Sequence, residues 1–208
     1  HRQSAPPVFA PNSLPDCVLW CEASQGVRND VNGVVFQWDD LSGNENHPVQ
    51  PTSTKRAIYS ATEEAVYFGG TSYLQRESLI SSNEVTTSVR VKIAGAPTNG
   101  YHSILMFTNG FSTAYNFMQT INLSGFWLNF SVNTLDAQPS PAIDSSDWVV
   151  LTGVKRGSTS EYYINGDIQA TGTGTQSLSS NLYIAAWSSR YSNLYMSELI
   201  VYNRALST

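Results

Sequence analysis

The sequence predicts an all-β protein built as a two-sheet antiparallel sandwich. Three observations carry this. Val85–Ile93 alternates strictly: Val85, Thr87, Val89, Val91 and Ile93 on one face, Thr86, Ser88, Arg90 and Lys92 on the other. That is the period of a strand with one dry and one wet side. Short runs of this kind recur along the chain, divided by turn residues, as sandwiches require. No stretch of ~11 residues keeps an apolar i, i+3, i+4 stripe with caps, so no helix is expected.

The strands follow in order. Cys17–Glu22 opens the set, and Val34–Trp38 follows the hairpin dipeptide Asn32-Gly33. Ala65–Phe68 precedes Gly69-Gly70, and Val85–Ile93 is the alternating strand. Ser103–Phe107, Tyr115–Ile121, Phe126–Val132 and Trp148–Val154 continue the series. Glu161–Ile164 and Asp167–Ala170 flank Asn165-Gly166, the strongest short hairpin signal in the chain. Leu182–Trp187 and Leu194–Tyr202 close it, after the polar loop Gly172–Ser180. Residues 1–13 carry Pro6, Pro7 and Pro11 and read as an extended arm or linker; residues 14–208 read as one domain. The start lacks an apolar signal segment and suggests a piece cut from a longer chain.

Composition narrows the function. Only 13% of the 208 residues are charged, and the formal net charge is −5. Such a chain is not built to meet nucleic-acid phosphates or an anionic membrane surface, and no apolar run is long enough to insert. Cys17 and Cys21 would lie about 13 Å apart on one strand face, too far for a disulfide. They read as free thiols in the core, which suits folding in a reducing compartment. The sequons at Asn122 and Asn129 carry little weight in so Ser- and Thr-rich a chain.

Several segments, taken in order, resemble one family. They are LPDCVLWCEAS (14–24), QWDDLSGNENH (37–47), AVYFGGTSYL (65–74), Trp148–Thr152, YYING (162–166) and YMSELIVYNRAL (195–206). Together they resemble the laminin-G-like, or concanavalin A-like, jelly-roll domains, over about residues 14–206. Cys17 and Cys21 replace the usual Leu, and Glu22 the usual Asp. The resemblance implies the jelly-roll arrangement of the sandwich and puts Trp20, Trp38 and Trp148 in core strand positions. Calcium is the cofactor it allows, with Asp39, Asp40 and Asn44, or Asp144 and Asp147, as oxygen donors. The same residues read equally as turn and cap formers.

No chemistry-bearing motif stands out. The E-x-D-x-x-E spacing of jelly-roll glycosidases is absent, as are a P-loop, a zinc cluster and a Ser-His-Asp order. His102 beside Tyr101 and Tyr115 imitates only part of a polysaccharide lyase set. A sugar site needs aromatic platforms beside planar polar groups. Two segments offer them: Trp187, Arg190, Tyr191 and Asn193 in one, Tyr101, His102 and Tyr115 in and after the other. The expectation is a non-catalytic module that binds glycans or a cell-surface receptor. By family analogy it belongs to a virion or surface protein, with other subunits of that particle as further partners. The alternatives are a structural decoration domain and a polysaccharide-degrading enzyme with a disguised site.

Overall fold

The computed structural model describes residues 10–96, 101–108, 117–122, 128–129, 136–137, 147–173, 178–187 and 190–207. The strands are β1 (Cys17–Glu22), β2 (Val27–Asn29), β3 (Val34–Trp38), β4 (Ala57–Ser60), β5 (Ala65–Phe68), β6 (Leu74–Arg76), β7 (Val85–Ile93), β8 (Tyr101–Phe107) and β9 (Phe117–Asn122). They continue with β10 (Leu128–Asn129), β11 (Asp136–Ala137), β12 (Val149–Arg156), β13 (Thr159–Ile164), β14 (Asp167–Thr173), β15 (Leu182–Ile184), β16 (Ala186–Trp187), β17 (Arg190–Tyr191) and β18 (Leu194–Tyr202).

One large antiparallel sheet runs β14-β13-β12-β7-β18-β5-β4-β3-β2. β1 joins it along the same edge of β18 that β5 uses: β5 pairs with Leu194–Met196, and β1 with residues 198–202. A smaller sheet runs β6-β15-β8-β9. Two sheets arranged in this way make the sandwich that the strand pattern predicts.

The core lies between them. Leu19, Cys21, Trp38, Phe68, Val85, Leu151 and Leu199 come from the large sheet; Leu74, Phe107, Leu182 and Ile184 come from the small one; all are fully buried. The expected inward set of β7 is buried (Val85, Thr87, Val89, Val91 and Ile93), but Thr86, expected on the wet face, is buried too, its hydroxyl donating to the Arg204 carbonyl at 3.0 Å. Cys17 and Cys21 are free and buried, packed as small apolar groups. Burial pushes the Cys17 thiol up to about 11 and raises Cys21 well above its ordinary value, with the Asp40 charge adding to both.

The Asn165-Gly166 hairpin forms as predicted, both residues at positive φ (50° and 89°), between Ile164 and its register partner Asp167. Four details differ. Val27–Asn29, Ala57–Ser60, Leu74–Arg76, Asp136–Ala137 and Arg190–Tyr191 are further strands, too short to show a clear period of two. Leu182–Trp187 breaks at Ala185, whose φ is +67° and whose amide turns to the Ile104 carbonyl. A single helical turn, Ala23–Gly26, follows β1. Pro11, expected in the free arm, is buried, and the Tyr202 hydroxyl donates to its carbonyl at 3.0 Å. Residues 1–9 lie outside the described residues.

Trp38 is core, but Trp20 and Trp148 are not. The reason is parity. In β1 the inward positions are Cys17, Leu19 and Cys21, which leaves Val18, Trp20 and Glu22 on the outer face. Trp148 precedes β12, where Val149 and Leu151 point inward. Both tryptophans stand half-buried on the outside of the large sheet.

Candidate functional site

The residues singled out from sequence do not form one cluster. His102 is fully buried; its Nδ1 accepts the Asn193 amide at 3.1 Å, and burial lowers it to about 4. It is a neutral packing histidine and does not reach a surface ligand. Asn193 is a brace: its Oδ1 accepts the Tyr67 hydroxyl at 3.0 Å and its Nδ2 donates to the Ala96 carbonyl at 3.2 Å. Arg190 and Tyr191 are half-buried in β17, and the Lys55 ammonium sits 5.4 Å from the Tyr191 ring centroid. Tyr101 and Trp187 are placed by strand backbone only, in β8 and β16. Tyr115 and Asp144 lie outside the described residues.

Asp39, Asp40 and Asn44 have their side-chain polar atoms engaged by other groups of the chain. Asp40 is buried and accepts four donors: Trp20 N and Ser42 N on one oxygen (2.9 Å each), Ser42 Oγ (2.8 Å) and Asn46 N (2.9 Å) on the other. Those bonds fill the lone pairs a cation would use. Asp39 takes Arg28 through both oxygens (2.8 and 2.9 Å) and Gln37 (2.7 Å). Partial burial raises its carboxyl, and these bonds more than reverse that, leaving it below its ordinary value. Asn44 Nδ2 donates to the Cys17 carbonyl. Asp147 is exposed beside β12. Among the described residues, no three or more His, Cys, Asp or Glu side chains gather as a metal site.

A different constellation lies on the outer face of the large sheet. Register places Glu22, Glu198 and Arg90 in one row across β1, β18 and β7. A β-bulge between Met196 and Glu198 sits at this point and turns Ser197 toward the same side. Between the side chains opens a cleft of about 180 Å³, lined by Glu22, Ser24, Glu64, Arg90, Ser197 and Glu198.

Each polar wall is held by its own partner. Glu198 Oε1 accepts the Trp20 indole N–H at 3.3 Å. Arg90 Nη1 donates to Ser197 Oγ at 3.0 Å, and its guanidinium lies 4.5 Å from the Trp148 ring centroid. Glu22 accepts Ser24 Oγ at 2.7 Å and Gln25 Nε2 at 2.6 Å. The single turn Ala23–Gly26 is what brings those two donors back onto β1. Burial raises the Glu198 carboxyl, the Glu22 charge raises it further, and Trp20 and Arg90 partly offset this. On the same face, Lys92 pairs with both oxygens of Glu63, and Tyr67 packs against Tyr195 at 5.1 Å.

Sequence reading passed over this set because its members come from three strands. Glu22 and Glu198 are adjacent only through strand register. The signals present were Glu198 among apolar residues in the last strand, and Arg90 on the polar face of an alternating strand.

No curated protein matches the chain. Solved structures share its fold. Trypanosoma rangeli sialidase in complex with sialic acid superposes with a TM-score of 0.71 at 12% identity, over 93% of this chain and 32% of that one. The chain thus spans about a third of the length of such a sialidase. Domain 4 of AbnA, a GH43 extracellular arabinanase from Geobacillus stearothermophilus, in complex with arabinotriose, gives 0.60 at 17% identity, over 92% of this chain and 94% of that one. The binding domain of botulinum neurotoxin DC in complex with SialylT gives 0.58 at 12%, over 95% and 50%. At these identities the likeness is one of fold. Residues 68–208 match the sequence profile of the concanavalin A-like lectin/glucanases superfamily. With two-thirds of its length under that profile and a two-sheet antiparallel sandwich to match, the chain belongs to the concanavalin A-like lectin/glucanase superfamily.

Proposed function

We propose that the chain is a non-catalytic recognition module, part of a larger virion or cell-surface protein, that binds a hydroxyl-rich glycan in the Arg90–Glu198 cleft. The observation that carries this is the way Arg90 and Glu198 are held. Both are planar polar groups, fixed by an aromatic partner and presented across an open cleft. A guanidinium supplies paired donors and a carboxylate paired acceptors, so together they match vicinal sugar hydroxyls. Prior fixation lowers the ordering cost of binding. Ser24 and Ser197 add hydroxyl contacts at the rim. Three carboxylates and one guanidinium give the cleft a negative balance, which favours uncharged sugars over acidic ones. The fold neighbours whose structures hold arabinotriose, sialic acid and SialylT support a glycan as the ligand class.

One observation favours a second reading, glycoside hydrolysis. Glu22 and Glu198 face each other in register, and burial raises the Glu198 carboxyl, which biases it toward the protonated form of a general acid. Recognition is preferred because both Glu22 oxygens accept local hydrogen bonds and Glu198 is committed to Trp20.

A glycan array with the purified chain, run with calcium and with chelator, followed by calorimetry of the best hit, tests the proposal. The expected result is a neutral glycan bound intact by the parent and at least tenfold more weakly by Arg90→Ala. A blank array contradicts recognition. Release of reducing sugar that stops in Glu198→Gln establishes the hydrolase reading instead.

A further inference from the structure

The fold treats the three lysines of this chain differently. Lys92 Nζ donates to both oxygens of Glu63 at 2.8 and 2.9 Å. Lys155 is buried, and its ammonium donates to the Gly157 carbonyl. Lys55 has neither kind of partner among the described residues: its one contact is the face of Tyr191, 5.4 Å from the ring centroid. An ammonium carries three donors, and a ring face satisfies the charge only in part.

Lys55 also stands at a particular place. It ends the turn Ser53–Lys55, and its carbonyl accepts the Tyr73 amide at 3.1 Å. That bond ties the turn to the entrance of β6. Tyr73 and Tyr183 are 6.3 Å apart with planes inclined by 44°. Tyr183 is in register with Gln75 and alternates with Leu182 and Ile184, which are core residues, so it projects from the outer side of the small sheet. Tyr73 lies two residues before Gln75 and takes the same side. Tyr73, Tyr183 and Tyr191 are each half-buried.

The next residue, Arg56, repeats the pattern. Its guanidinium lies 5.7 Å from the Phe36 ring centroid and donates to the Gln50 and Pro51 carbonyls. Among the described residues, no carboxylate neutralises it. Two successive cations over aromatic rings, in a chain of net charge −5, form a local reversal of sign. Glu77, whose charge bears on Tyr183, is exposed.

We infer that the outer face of the small sheet, around Lys55, Tyr191, Tyr73 and Tyr183, is a second ligand surface that takes a carboxylate-bearing sugar. The carboxylate occupies the open donors of Lys55, and the sugar ring lies against the tyrosines. Aromatic faces accept the C–H side of a pyranose, and the ammonium supplies the charge that an uncharged sugar does not use. This surface faces away from the Arg90–Glu198 cleft, which belongs to the other sheet and has the opposite charge balance. The two therefore sort acidic from neutral sugars.

Calorimetric titration with sialyllactose and with lactose tests it, since the two differ by one acidic sugar residue. The expected result is sialyllactose bound at least tenfold more tightly than lactose at low salt. Lys55→Gln abolishes that difference, and Lys55→Arg retains it. Sialyllactose bound no more tightly than lactose, or bound equally by the parent and Lys55→Gln, overturns the inference. Either outcome leaves the neutral-glycan cleft to be judged by its own array.

Discussion

Arg90 and Glu198 lie directly opposite each other in register on β7 and β18, yet they form no ion pair. Arg90 turns to Ser197 and Trp148; Glu198 turns to Trp20. A cross-strand pair of opposite charge is stabilising by a few tenths to about 1 kcal/mol. Here that gain is forgone, and a cleft stands where the bridge would be. The row continues to Glu22, which puts like charges opposite each other on β1 and β18, an arrangement that costs stability. Local rules broken together in one place are what the proposed glycan cleft rests on.

The first prediction concerns that cost. Burial and the Glu22 charge hold the Glu198 carboxyl above its ordinary value of 4.5. The folded state therefore keeps this proton to higher pH than the unfolded chain, so ionisation opposes folding. This contribution to stability is full below 4.5 and declines as pH rises through the raised folded value. Glu198→Gln removes it. Chemical denaturation should show the variant at least as stable as the parent at pH 7, with the advantage shrinking in acid.

His102 behaves in the opposite sense. Burial lowers it from 6.5 to about 4, so its contribution is full above 6.5 and is lost as pH falls toward 4. The groups that face it are the Asn193 amide and the packed strands of the small sheet. His102→Gln should flatten the fall in melting temperature between pH 6.5 and 4 relative to the parent, measured by scanning calorimetry. An unchanged slope would locate the acid sensitivity elsewhere.

Asp40 organises the turn that follows β3. Its four accepted bonds tie Trp20, Ser42 and Asn46 together. Asp40→Ala leaves buried donors unmet and should cost about 2–4 kcal/mol in urea unfolding. Asp40→Asn, which keeps an acceptor, should recover part of that.

The thiols should be silent in the native state. Cys17 and Cys21 are buried and raised, so the reactive thiolate is scarce. Labelling with an aromatic disulfide reagent should be slow without denaturant and reach both thiols once the chain unfolds. Rapid native labelling of Cys21 would contradict its place in the core.

The fold was legible because its signals are local. The alternation of Val85–Ile93, the Asn165-Gly166 turn and the runs Cys17–Glu22, Ala65–Phe68 and Leu194–Tyr202 each declare themselves within a few residues. Short strands such as Leu74–Arg76 exist only because tertiary neighbours pair with them, which propensity does not encode. The site was largely hidden for the same reason. Tyr191 was visible as a loop residue, but its partner Lys55 lies far off in sequence. His102 and Asn193 look like recognition residues and are instead bonded to each other. Trp20 and Trp148 read as core because the family resemblance puts them in core strand positions, and a one-residue parity in β1 moved Trp20 outside.

The most direct test follows the indole N–H signals of the five tryptophans by NMR while the best neutral glycan from the array is added. Trp20 donates to Glu198 and Trp148 supports Arg90, whereas Trp38 is sealed in the core. The expected result is saturable shifts of the Trp20 and Trp148 signals with Trp38 unmoved, and loss of those shifts in Arg90→Ala. Binding that leaves Trp20 and Trp148 unmoved would contradict the Arg90–Glu198 cleft as the glycan site.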